Sequence, residues 1–443
     1  MADSGLLGLI VKFHWKEPVK AVLRAVAKVP YAREAANFIV RGGERPSVPS
    51  YEFQDMAPIQ PQADSSERPR LNLLIPSINV SDAFGGIATA VRIFEQLGHI
   101  AQGMSSDLRF RIITDARITD ESLVDLTKWR CLDAADADPR YQIIQLDDLP
   151  MRTVRFSKGD VLVATWWPTA FRAQKVRAWQ EECFGSPTAP MIYIIQDFEP
   201  GFYALSSRYA YAESTYMDGA NTIAIFNTSL LRNYFEKHGY SFSRTYDFEP
   251  RLNTSLRSYL NQSTTKKRRI VVYGRPSSAR NCFEVICAGL RAWAQKSPHA
   301  QRWTIISAGE KHANVPLGHG LEMQSVGKLS LRAYAALLNE AAVGISLMLS
   351  PHPSYPPLEM AYAGLLTITN SYGDKDLSSW HDNVYSISRI VPEELARAIE
   401  RCVSAFDSDQ EAGLKGQSRA LFYASSEESY EFLHEVAQAI RVI

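Results

Sequence analysis

The sequence predicts two doubly wound Rossmann-like α/β domains facing across a cleft, with an N-terminal helical extension, and three observations carry that prediction. From residue 71 onward, apolar runs of strand length alternate with helical patterns, as parallel sheets covered by helices on both faces require. The alternation breaks near residues 240 to 267, in a stretch leading to the polar "NQSTTKKRR", and then restarts. The length of 443 residues, 46% of them hydrophobic and 22% charged, suffices for more than one buried core.

Each segment has its own justification. Residues 1 to 45 repeat apolar side chains at three and four, with Lys12, Lys16, Lys20, Arg24 and Lys28 recurring along one side, and Pro18 and Pro30 divide the predicted helix. With Phe13 and Trp15, such a basic amphipathic helix suits an anionic membrane surface; packing on the α/β body is the equal alternative. Residues 46 to 70 are rich in Pro, Ser and Gln without periodicity, the composition of a linker or a draped arm. Residues 71 to 255 read as the first domain, with strands at "LNLLIPSI", "RFRIITD", "VLVATWW", "MIYIIQDF" and "TIAIFNT" and helices at 87 to 102 and 169 to 182. Residues 268 to 425 read as the second, with strands at "RIVVYGR", "WTIISAG", "LEMQSVG", "VGISLML", "LTITN" and "VYSIS" and helices between them. A closing helix is expected within residues 426 to 443.

Composition excludes several classes of function. Lys and Arg balance Asp and Glu at 48 each, so no nucleic-acid partner is expected and any basic function must be local. Five scattered cysteines without a CxxC pair argue against a disulfide framework and a zinc site. No apolar run approaches the roughly 20 residues of a membrane span, so a cytoplasmic protein, at most peripheral on the inner face of the cell membrane, is expected.

Doubly wound domains bind ligands beyond the carboxyl ends of their strands, so chemistry is sought just after each strand. Gly85 and Gly86 follow the first strand and precede a helix, where backbone NH groups can approach a ligand; a tight structural turn is a nearly even alternative. Arg275 ends the first strand of the second domain and Arg280 lies five residues on, a pair of forked cations suited to a diphosphate. Lys328, after Gly327, is placed for a phosphate, and the backbone of Lys328 and Leu329 for the edge of a nucleobase; a solvated lysine is the alternative. In "SPHPSYPPLEMAYAGLLTITN", Pro356 or Pro357 suits the first helical position, with Ser354 or Tyr355 as the cap region. Glu359 falls in the first turn, where the helix dipole also favours an acid for purely structural reasons.

Together these motifs resemble the family-4 glycosyltransferases of the two-Rossmann GT-B class, over roughly residues 71 to 443. "QDFEPGFY", "YGRPSSARN" and the proline-rich segment resemble, more narrowly, bacterial rhamnosyltransferases that extend polyrhamnose chains of surface glycans. The resemblance implies retaining transfer of rhamnose from dTDP-L-rhamnose to an O-antigen or rhamnan type of polysaccharide, with a lipid-linked glycan acceptor and with neither cofactor nor metal. It also implies that the closing helix crosses back to the first domain. Arg275, Arg280, Lys328, Leu329, His352, Tyr355 and Glu359 then hold the nucleotide sugar, with Tyr355 helping the helix end bind diphosphate and Glu359 taking the ribose hydroxyls. Gln196, Asp197 and Glu199 hold the acceptor or assist its hydroxyl, one of them instead capping the loop that enters Pro200. The family carries a second glutamate eight residues before the ribose one; here that position is Pro351, and His352 beside it is the expected replacement contact. A nucleotide-sugar epimerase of the same fold and a catalytically silent scaffold are the competing readings. A metal-dependent transferase using Asp136 and Asp138 is a weaker one.

Overall fold

The computed structural model describes residues 56–440 apart from 67, 83–84, 106, 120, 132–138, 147–151, 261–264 and 426–429. The expected membrane helix at 1 to 45 and the Asp136 and Asp138 pair lie outside the described residues.

The first body is built from β1 (Gln60–Ala63), β2 (Arg70–Ile75), α1 (Gly85–Met104), β3 (Arg109–Thr114), β4 (Arg130–Cys131), β5 (Tyr141–Gln145), β6 (Thr153–Phe156) and β7 (Val161–Ala164). It continues with α2 (Trp167–Phe184), β8 (Met191–Ile195), α3 (Ser207–Ser214), β9 (Thr222–Asn227), α4 (Ser229–Lys237) and β10 (Arg244–Phe248). Eight of these strands form one sheet in the order β10-β9-β8-β7-β2-β3-β5-β4, parallel throughout. β2, β8 and β9 are buried along their whole length, which is why they read as continuous apolar runs rather than alternating ones. At the amino ends of the strands, remote from the cleft, Arg111 Nε donates to Asn72 Oδ1 at 2.6 Å, and Arg70 and Arg111 share the buried Asp160.

The second body contains α5 (Thr254–Tyr259), β11 (Lys267–Gly274), α6 (Phe283–Lys296), β12 (Thr304–Gly309), β13 (Val315–Gly318), β14 (Leu321–Gly327) and α7 (Leu331–Glu340). There follow β15 (Ala341–Ile345), α8 (Tyr355–Tyr362), β16 (Leu366–Asn370), β17 (Val384–Ile387), α9 (Pro392–Ser408) and α10 (Ala412–Lys415), after which α11 (Leu433–Ala439) returns to the first body. Its sheet has the order β13-β14-β12-β11-β15-β16-β17, and only the β13/β14 pair is antiparallel. The strand order reverses around β2 and β7 in the first sheet and around β11 and β15 in the second, and such reversals open a crevice at the carboxyl ends.

Three placements differ from the sequence reading. Within the presumed linker, β1 pairs with β6 and Ile59 is buried against the first core, because an isolated isoleucine beside a free strand edge gains more by packing than by solvation. "RTYDF", in the expected break, is β10 on the edge of the first sheet. α5 packs its buried Leu256 in a cluster with Leu358 and Leu377, so the chain joins the second core from about residue 254, ahead of the expected start of that domain at 268. α11 takes the opposite course: Leu433 and Val436 are fully buried in the first core, Tyr246 donates to Glu435 at 3.1 Å, and Tyr246 stacks on Phe432 at 5.3 Å.

Candidate active site

The two bodies meet through the loops that follow their strands. β8 ends at Ile195, and the chain turns through Gln196 and Asp197 into a short 3-10 turn, Glu199–Phe202, forced by Pro200. Asp197 is buried, accepts from the Phe198 NH at 2.8 Å, and makes two bonds to the second body: Arg280 Nη1 lies 2.5 Å from its Oδ2, and the Ser350 hydroxyl donates to its Oδ1. Arg280 also lies 3.9 Å above the Phe202 ring. A carboxylate on the first body is thus fixed by a cation and a hydroxyl from the second.

The loop after β15 is held from several sides. Asn370, at the end of β16, accepts from the Met348 NH at 2.6 Å and donates to the Met348 carbonyl at 3.0 Å, while Asn281 donates to the Leu347 carbonyl at 3.1 Å. Lys375, almost wholly buried, donates to the same Met348 carbonyl at 2.8 Å, and burial pulls its ammonium down to about 7, with Asp197 opposing that shift. The sequence reading missed Lys375. Its signal is the "NSYGDK" turn just after β16, which returns a cation to the strand ends, with Gly373 at φ 55°.

His352 is 5% exposed, and its Nδ1 accepts from the Ser354 NH at 3.0 Å, so the neutral ring carries its proton on Nε2. That Nε2 is buried with no partner among the described residues. Burial lowers the imidazole to about 4 despite the attraction of Asp197. Ser354, at φ 68° and ψ 147°, precedes α8 in a conformation that strongly favours glycine. α8 then opens with Tyr355, Pro356 and Pro357, so the prolines occupy its second and third positions.

Glu359 is half-buried on α8, and burial pushes its carboxyl up to about 7, an effect that the neighbouring Tyr334 hydroxyl of α7 counters. Lys328, exposed, and Leu329, half-buried, enter that same helix α7, which is capped by the Ser330 hydroxyl accepting from the Ala333 NH at 3.3 Å. The start of α7 and Glu359 therefore belong to one corner of the second body.

Other expected residues are placed differently. The Tyr355 hydroxyl accepts from Asn227 Nδ2, in the first body, at 3.2 Å; it ties the bodies together instead of serving the helix end, because the side chain leaves α8 toward β9. Glu199 is turned into the first body: its Oε2 accepts from the Trp167 NH at 2.6 Å and the Tyr193 hydroxyl at 2.9 Å, and burial raises its carboxyl to about 8. It holds the loop after β7 to the loop after β8. Arg280 points to Asp197, whereas the Arg275 stem lies beside Gly309, near Glu310, whose carboxyl is held low chiefly by hydrogen bonds from Ser277 and to a lesser degree by the Arg275 charge, so the two guanidiniums face different neighbours. Gln196 and Gly86 are brought together: a Cβ on Gly86 would fall on Gln196 Oε1, which explains the glycine at the start of α1, next to Gly85.

Comparison with known proteins adds a family frame. The WsaF N-terminal domain matches residues 70–229 and the WsaF C-terminal domain matches residues 268–400. The O-antigen biosynthesis protein RfbC of Myxococcus xanthus is 27% identical over 363 residues, covering 80% of this chain and 26% of that protein, so the chain spans about a quarter of its length. Among solved structures, TarM aligns with a TM-score of 0.53 at 8% identity, over 84% of this chain and 98% of that one, a likeness of fold. WaaG, a glycosyltransferase involved in lipopolysaccharide biosynthesis, aligns with a TM-score of 0.49 at 14% identity, over 84% and 99% of the two chains.

Proposed function

We propose that the chain, which carries both WsaF domains on a GT-B fold, is a glycosyltransferase that transfers rhamnose from dTDP-L-rhamnose to a growing surface polysaccharide. Its partners are a nucleotide-sugar donor and a glycan acceptor, the latter lipid-linked in this reading. The observation that carries the proposal is the junction of Asp197 with Arg280 and Ser350, beside a neutral His352 and with Pro351 where the resembling family has an acid.

In this reading the diphosphate lies along the loops after β11 and β14, where Arg275, Arg280 and Lys328 offset the charge that develops as the glycosidic C–O bond to phosphate breaks. Asp197, with Gln196 beside it, orients the acceptor hydroxyl on the first body. The new C–O bond forms on the face that the leaving group vacates, so the anomeric configuration is retained, and the hydroxyl proton passes to the departing phosphate oxygen. Glu359 accepts the ribose hydroxyls, and Leu329 presents backbone groups to the base. His352 donates through Nε2 to a sugar oxygen, which suits a 6-deoxy sugar whose hydroxyls differ from those of glucose. Three protein cations take the charge-neutralising role, so the transfer needs no divalent ion.

A donor panel tests the proposal. Purified protein with an oligorhamnoside acceptor and dTDP-L-rhamnose, UDP-glucose, UDP-N-acetylglucosamine or GDP-mannose is expected to release nucleotide and extend the acceptor only with the first, equally well in EDTA. Extension with a UDP- or GDP-sugar instead, or loss of activity in EDTA restored by a divalent ion, would overturn the donor or the metal-free part respectively. A donor epimerised without acceptor would favour the epimerase.

A further inference from the structure

Beyond Asp197, the first body carries a row of aromatic side chains with no role in the steps above. It starts at the ion pair itself, where Arg280 covers Phe202. Phe202 and Tyr203 are both half-buried, with centroids 6.4 Å apart, and Tyr203 meets the fully buried Trp167 edge-on at 6.0 Å while accepting from its Nε1 at 2.9 Å. Trp167 in turn meets the half-buried Trp166 at 6.2 Å. Arg208 lies 5.8 Å over Tyr203, and Leu205, two residues further along the chain, is 89% exposed.

The row is rigid. Glu199 binds the Trp167 NH, joining the loops after β7 and β8, and Thr169 fixes the Trp166 backbone by accepting its NH at 3.0 Å. Rings on preorganised loops offer apolar area at little entropic cost, and their polar edges supply orientation. The core of the first body does not require half-buried rings at this edge: its aromatic packing runs through Tyr193, Tyr216 and Phe235, all buried.

We propose that Trp166, Phe202 and Tyr203 form an acceptor platform, on which sugar units behind the reacting one stack their apolar C–H faces. This rests on the transferase reading, since it places the reacting hydroxyl at Asp197. A glycan is the fitting occupant because the row begins at that carboxylate and combines flat apolar faces with hydroxyl and guanidinium groups, the mixture that sugar rings present in return.

Calorimetry of the full chain with an oligorhamnoside of four sugars and with methyl rhamnoside tests the platform. The longer ligand is expected to bind at least about tenfold more tightly, the effect of a buried aromatic anchor, and Trp166→Ala is expected to abolish that gain while Trp166→Phe retains most of it. Trp166→Leu, which keeps an apolar side chain without a flat face, carries the test if the alanine variant does not fold. Equal binding of long and short ligands by the unaltered protein, or a gain that survives both Ala and Leu, would overturn the proposal. So would loss in Trp166→Leu of partition into phosphatidylglycerol vesicles with the saccharide gain intact, which would make the row a membrane contact. Repeating the titrations with oligomannosides and oligoglucosides separates the two readings: a Trp166-dependent gain for one of those alone keeps the platform and removes rhamnose.

Discussion

Glu359 and His352 lie seven positions apart, and burial shifts them in opposite directions, each toward its neutral form. On the proposed ribose role, Glu359 must be ionised to accept two hydroxyls, and with its carboxyl near 7 the affinity for dTDP should rise from pH 5.5 to 7 by approaching tenfold per unit, then level off. Titration calorimetry across pH 5.5 to 8.5 checks this; a flat profile, or one unchanged in Glu359→Gln, would remove the role. For His352 the effect is on stability. Its value in the folded chain, about 4, lies below the ordinary 6.5, so the unfolded chain takes up the proton first. Stability is therefore full above pH 6.5 and is lost toward pH 4, by on the order of 3 kcal/mol. Denaturant unfolding at several pH values should show that acid limb reduced in His352→Gln. Neither shift is legible in the sequence, which singles out both residues but does not show how deeply the fold buries them.

At the scale of elements, the segment around α8 shows how a local rule is broken at a site. The proline pair and the strand before it are plain in the sequence, yet helix entry falls to Ser354 at positive φ, a conformation costing about 1–3 kcal/mol. The surrounding bonds compensate: His352 receives the Ser354 NH and Ser350 receives the His352 NH at 2.9 Å. Ser354→Gly is expected to raise stability by about 1 kcal/mol, read as a higher denaturant midpoint with unchanged slope; a lower midpoint would show that the serine side chain outweighs the strain. The main strands of both sheets were legible because continuous burial gives them uninterrupted apolar runs, as in "MIYII" and "TIAIFN". β1, β4, β5, β6, β10 and β13 were not, since they are short and most carry polar residues such as Gln60, Gln142, Arg155 and Arg244.

For the whole molecule, the contacts that join the bodies come from residues far apart in sequence: Asp197 with Arg280, Asn227 with Tyr355, Lys237 with Asp374, and α11 in the first core. Deleting residues 425–443 should expose the seat of Leu433 and Val436 and cost roughly 3–6 kcal/mol, lowering the unfolding midpoint of a chain whose second sheet is untouched. An unchanged midpoint in thermal unfolding would show that α11 contributes nothing to the first body. By itself the sequence determined the two doubly wound domains, the restart between them, and the strand ends at which chemistry was to be sought, because periodicity and turn residues act within a few positions along the chain. Tertiary structure alone decided that Tyr355 reaches across to the first body, that Glu199 turns inward, that Lys375 enters the junction and that Arg280 meets Asp197. Those outcomes depend on which buried groups find partners in another layer of the fold, and no local pattern specifies that.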